Sequence, residues 1–230
     1  MRPRRFPIRN RSFRGMTAQT MARTDGDDAS ERTRQRELNR IRKQADACKR
    51  CDLWRTGTQT VFGEGAVDAD VMFIGEQPGD AEDVQGRPFV GPAGRVFHEA
   101  LAEAGLSNLS TYITNAVKHF KWEPRGKRRL HLRPNMAELL ACRFWLEAEI
   151  DKVRPKVLVA VGATAARVVL GPKVRVLRDR GRWLPSTYGP DVLVTAHPSS
   201  VLRAQDAESR QQGMKQLIAD LRQIGTRLRR

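Results

Sequence analysis

The sequence predicts a single three-layer α/β/α domain built on a central, mainly parallel four-stranded sheet, and three observations carry that prediction. Four runs are continuously apolar and rich in β-branched residues: VMFIG (71–75), TYITNAV (111–117), VLVAVG (157–162) and VLVTAH (192–197). Strands covered on both faces need such unbroken runs, whereas half-exposed strands alternate. Segments of helical periodicity separate the runs, so strand and helix alternate along the chain. The 230 residues, 40% of them hydrophobic, suffice for one core of ordinary size.

In chain order, the first segment is an Arg-rich leader, MRPRRFPIRNRSFRG, and residues 1–43 hold 13 Lys/Arg against 5 Asp/Glu, about half of the net charge of +16. It has no apolar core of a secretory signal, and no apolar run approaches the roughly 18 residues of a membrane span. A cytoplasmic protein without membrane association is expected. Residues 1–36 are expected to be disordered, either a tail that hugs DNA or an over-long start, with Met16 and Met21 as alternative first residues; residues 37–230 form the domain. So basic a chain, with a pI near 10.9, argues for an acidic partner and says nothing of fold. Three cysteines suit no disulfide framework. Two form Cys48-x-x-Cys51 and the third is Cys142, a pattern that favours metal inside a cytosolic chain.

The helices follow from periodicity and punctuation. GPAGRVFHEALAEAG (91–105) carries apolar residues at helical spacing and stops at glycine, and PNMAELLACRFWLEAEIDKV (134–153) runs from a proline to Pro155. ATAARVVLG (163–171) is short and also stops at glycine, and ESRQQGMKQLIADLRQIG (208–225) closes the fold. His98, on the first of these, reads as a surface residue.

Sheets of this kind bind ligands beyond the carboxyl ends of their strands. Those ends read GEQPGD (75–80), Asn115 with His119, Gly162-Ala163-Thr164, and HPSS (197–200), and three of the four carry groups able to do chemistry. Glu76, Gln77 and Asp80 lie on a tight Gly/Pro-bounded turn, which alone reads equally well as an ordinary polar turn. Phe89, in the Gly/Pro-rich loop that follows, is a core plug or a stacking platform for a flat ligand. Asn115 ends an apolar strand, where its amide needs partners: a structural network, or the edge of a nucleobase. His197 stands where the last strand leaves the sheet, and Ser199 and Ser200 can cap the next turn and bind phosphate. Between strand and helix lies the polar run KWEPRGKRRLHLRPN, whose cations end, in GKRRLH, on His131.

In GEQPGDAEDVQGRPFVGPAGR, YITNAVKHF, KRRLH, ACRFWL, VAVGATAA and HPSSVLR, taken in order over residues 45–225, the chain resembles the iron–sulfur uracil-DNA glycosylases. More narrowly it resembles their X-type members, which carry a basic loop with a terminal histidine and become covalently joined to the DNA they act on. That resemblance implies a [4Fe–4S] cluster held by Cys48, Cys51 and Cys142. The family's remaining cysteine position falls on His119, so either His119 completes a Cys3His site or the cluster has three protein ligands; on spacing alone, Cys3His equally suits structural zinc. It also implies roles. Phe89 stacks on the flipped uracil, Asn115 reads N3–H and O4, His197 donates to O2, and Gln77 and Asp80 shape the pocket. Glu76 faces the sugar, Arg129 orients the basic loop, and Lys127, Arg128, Ser199, Ser200 and Arg203 meet the DNA backbone. His131 is then the nucleophile that captures C1′, its second N–H held by Glu76 and its pKa depressed by the neighbouring cations. The implied partner is uracil-containing DNA, single-stranded by preference because less unstacking is needed, and the implied enzyme is a single-turnover monomer. A turnover glycosylase, or a DNA-gripping metal module without activity, are the rival readings.

Overall fold

The computed structural model describes residues 25–229, with side chains from residue 28. A six-stranded sheet runs in the order β1-β3-β2-β6-β8-β7. The four anticipated runs supply its centre as β3 (Thr111–Asn115), β2 (Val71–Gly75), β6 (Val157–Val161) and β8 (Val192–Thr195), all mutually parallel. Two-residue strands close the edges antiparallel, β1 (Glu64–Gly65) on β3 and β7 (Trp183–Leu184) on β8. Elements this short leave no periodicity in a sequence.

Alternate residues of the central strands serve two cores, which is why the runs are unbroken. Met72 and Ile74 of β2, with Leu158 and Ala160 of β6, face α1 (Asp25–Asp46), α4 (Met136–Val153) and α5 (Ala163–Leu170). Val71 and Phe73, with Val157, Val159 and Val161, face α3 (Pro92–Glu103) and α8 (Ala207–Leu228). Short helices α2 (Asp80–Gln85), α6 (Val176–Asp179) and α7 (Ser199–Leu202) complete the connections.

Two expectations change. The leader was expected to run to residue 36, yet residues 25–36 are the first half of α1. Leu38 and Ala45 on that helix are fully buried, and Arg34 donates to the carbonyls of Val67 (3.3 Å) and Lys152 (3.2 Å), closing the C-terminal turn of α4. Dense charge hides this narrow apolar stripe in the sequence. Residues 1–24, with Met16 and Met21, lie outside the described residues. Second, the polar run between β3 and α4 is no loop: β4 (Trp122–Arg125) and β5 (Arg128–His131) pair as an antiparallel hairpin around the two-residue turn Gly126-Lys127. Gly126, at φ +60°, supplies the left-handed backbone such a turn needs. Among the described residues no helix is long and apolar enough to cross a membrane.

Candidate active site

The carboxyl ends of β2, β3, β6 and β8 meet in one cleft. Gly75, last in β2, pairs in register with Asn115, last in β3. A Cβ on Gly75 would stand 2.3 Å from Asn115 Oδ1 and 2.8 Å from Phe89 Cζ, so the missing side chain lets amide and ring meet above the strand. The buried Asn115 amide makes no hydrogen bond to another described residue, which leaves both its donor and its acceptor for a ligand. Phe89 is held at φ +54°, a conformation that costs a non-glycine residue about 1–3 kcal/mol. Glu82 helps to impose it by accepting the N–H groups of Gly79 (3.1 Å) and Gly91 (2.8 Å), which brackets the loop. Opposite, the His197 ring lies 6.1 Å from that of Phe89. Its Nδ1 accepts the Ser199 N–H (3.2 Å) and stands 2.8 Å from Ser199 Oγ, itself an acceptor from Arg203 Nη1 (2.9 Å). Nε2 therefore carries the ring proton. Burial, reinforced by Arg203, pushes the His197 pKa down to about 4, so the ring is a neutral donor at pH 7.

Glu76 follows Gly75 directly. One carboxylate oxygen, Oε2, accepts the Thr164 hydroxyl, and the other, Oε1, lies 3.6 Å from His131 Nε2. That separation is too long for a hydrogen bond. Carboxylate and imidazole thus face one space from two sides. The His131 pKa is lowered, as expected, but chiefly by burial; Arg203 and Arg133 add to this while Glu76 opposes it, and the ring's other polar neighbour is its own backbone carbonyl. Of the neighbouring cations expected to depress it, Arg133 does so, while Lys127 and Arg128 sit exposed around the hairpin turn. Glu76 does not hold the second N–H.

The hairpin is aimed from its base. Gln77 Nε2 donates to the carbonyls of Lys121 (3.2 Å) and Leu132 (3.0 Å), the residues flanking the hairpin, and Oε1 accepts the Lys121 N–H (3.3 Å). Arg129 pairs with Asp80 and with the fully buried Asp83, each at 2.5 Å. Gln77 and Asp80 were expected to shape the pocket through backbone as much as side chain, and their side chains are engaged in fixing the hairpin. Ser200 Oγ donates to the His197 carbonyl (2.7 Å) and so caps the turn, while Ser199 serves His197 and Arg203.

The three cysteines, two just after α1 and one on α4, feel one another's charge. Cys142 Sγ accepts the Lys118 N–H (3.2 Å) and Cys48 Sγ accepts Trp145 Nε1–H (3.1 Å). Burial pushes the Cys142 thiol up to about 12, and Cys51 and Cys48 push the same way. The hydrogen-bonded sulfurs of Cys48 and Cys142 have the chemistry of cluster thiolates. His119 is turned to other partners: Thr60 Oγ1 gives its proton to the Ala45 carbonyl (2.9 Å), so at 3.0 Å it accepts from His119 Nε2. Burial lowers the His119 pKa, and its charged neighbour is Asp83. Among the described residues, no three side chains of His, Cys, Asp or Glu are close enough together to hold one metal ion, so no preformed zinc tetrahedron is seen.

The family model of the uracil-DNA glycosylase superfamily matches residues 62–222, from just before β1 into α8. The chain belongs to this superfamily. It is similar to the type-4 uracil-DNA glycosylase of Thermotoga maritima, 37% identical over 179 residues, which span 77% of this chain and 90% of that protein. The type-4 enzyme of Archaeoglobus fulgidus is 34% identical over 72% of this chain and 83% of its own length. A type-5 enzyme from Pyrobaculum aerophilum matches a shorter stretch, 32% identical over 53% of this chain and 57% of its own.

On this superfamily frame, sequence reasoning missed a polar network beneath the cleft. Lys118 and Glu149, both fully buried, pair at 2.5 Å, and Lys118 Nζ also donates to Thr114 Oγ1 (2.6 Å) and the Asn115 carbonyl (2.8 Å). Glu149 further accepts from the Gly63 N–H (2.8 Å) and Tyr112 (3.2 Å), a full set of partners of the kind a buried carboxylate needs. The available signal was two charges inside apolar elements, a lysine after β3 and a glutamate on the inner stripe of α4.

Proposed function

We propose that the protein excises uracil from DNA and is then joined to the abasic sugar through His131. The observation that carries this reading is the convergence of His131 Nε2 and Glu76 Oε1, 3.6 Å apart, beside a cleft walled by Phe89, Asn115 and His197. A uracil turned out of its stack lies against Phe89. Asn115 accepts from N3–H and donates to O4; cytosine, with an acceptor at N3 and a donor at N4, fails both. His197 Nε2–H donates to O2. These bonds strengthen as the C1′–N1 bond breaks and its electron pair moves onto the base, so they favour the transition state over the ground state. Glu76 steadies the positive charge that grows at C1′. The lone pair of His131 Nε2, whose ring proton sits on Nδ1 near the residue's own carbonyl, then forms the new C1′–N bond. The resulting imidazolium gives up the Nδ1 proton and the uracil anion takes one up, so charge and atoms balance. A positioned imidazole outcompetes water through effective concentration.

Lys127, Arg128 and Arg203 grip phosphates, with single strands favoured because unstacking is cheaper there, and the protein acts as a monomer. Cys48, Cys51 and Cys142 would hold a [4Fe–4S] cluster, which ties the chain after α1 to α4 and supplies no electron to the reaction.

The test is denaturing electrophoresis of protein mixed with uracil-containing single-stranded DNA. The parent should give a denaturant-resistant adduct, one DNA per protein, with free uracil. His131→Ser should release uracil and form no adduct. An undiminished adduct in that variant would assign the nucleophile elsewhere, with Glu76 next in line.

A further inference from the structure

Of the four strand ends, that of β6 offers no nucleophile, acid or base, yet its two ends of reach both touch the cleft. Gly162 is at φ +100°, and a Cβ there would stand 2.9 Å from His197 Cβ. Two residues on, in the first turn of α5, the half-buried Thr164 donates its hydroxyl to Glu76 Oε2. Thr164 is second in α5, so the helical carbonyl one turn back that threonines commonly reach does not exist for it, and its proton crosses to the neighbouring strand's end. The terminal torsion of a glutamate is soft and roughly two-fold. A donor fixed on one oxygen therefore decides where the other points, and with Oε2 engaged, Oε1 is the oxygen at 3.6 Å from His131 Nε2.

We propose that Thr164 is a positioning residue for the reaction, its hydroxyl holding the Glu76 carboxylate in the orientation that presents Oε1 to the sugar and to His131. This rests on the roles given to Glu76 and His131 above. The donor comes from the rigid start of a helix, on an element that carries no other reacting group, so the carboxylate is set before DNA arrives.

The experiment compares parent, Thr164→Val and Thr164→Ser in single-turnover uracil release and adduct formation on uracil-containing single-stranded DNA, with DNA affinity and melting temperature measured for each. Valine keeps the shape and removes the donor; serine keeps the donor. At saturating DNA, Thr164→Val should be slower by roughly tenfold or more, with affinity within about twofold because phosphate contacts govern it. Thr164→Ser should recover most of the rate. Parental rates in Thr164→Val, or serine as slow as valine, would overturn the inference. If the parent releases uracil without an adduct, the capture step alone falls, and Thr164 is judged on release rates, where the same order is expected because Glu76 faces the sugar in either route. A parent that releases no uracil overturns the functional reading and this inference with it.

Discussion

At the scale of single residues, His197 shows how surroundings set chemistry. Ser199 occupies Nδ1, burial keeps the ring neutral, and the Nε2 proton is left without a partner among the described residues. The same burial costs stability in acid. Between about pH 6.5 and about 4 the unfolded chain takes up a proton that the folded ring refuses, so this residue's contribution falls as pH drops through that window and is constant above it. The parent should therefore lose more melting temperature from pH 7 to pH 4 than His197→Gln does; equal losses would show that the ring is not held neutral. Asn115→Ala should slow uracil release by about 100-fold or more while DNA affinity stays nearly unchanged, measured by single-turnover release and by titration. Asn115, Phe89 and His197 could be found in the sequence because each follows an apolar run or a Gly/Pro loop. Thr164 and Asp83 could not, since each matters through a partner from a distant segment: Thr164 and Glu76 are 88 residues apart.

At the scale of elements, the hairpin of β4 and β5 determines where His131 stands. Gln77 holds both of its ends and Arg129 ties its second strand to α2. Gln77→Leu should keep uracil release but lower the fraction of events ending in an adduct, and should reduce stability by about 1–3 kcal/mol for the buried hydrogen bonds lost. Adduct and free uracil quantified from one reaction, with a urea melt alongside, check both. The central strands and the helices α3, α4, α5 and α8 were legible because burial on two faces and helical periodicity write themselves into composition. The hairpin was not, because cations at its tip mask the pairing, and α1 was truncated because charge outnumbers the two residues that bury it.

For the whole molecule, a net charge of +16 means that phosphate contacts dominate DNA affinity. Replacing Lys127 and Arg128 together by alanine should lower the slope of log affinity against log salt by about 1.4 on single strands, at about 0.7 per contact; an unchanged slope would remove the hairpin tip from the interface. The order of assembly adds a further consequence. The cleft takes one wall from the end of each of four strands, and β8, which leads into His197, is both the last central strand in the chain and a neighbour of β6 inside the sheet. While the protein is being synthesised, the cationic hairpin with its histidine leaves the ribosome well before His197 and Arg203. On the proposed chemistry, a reagent that can be used only once is thus kept inert on nascent and prematurely terminated chains, which could cling to DNA but lack the donor that expels the base.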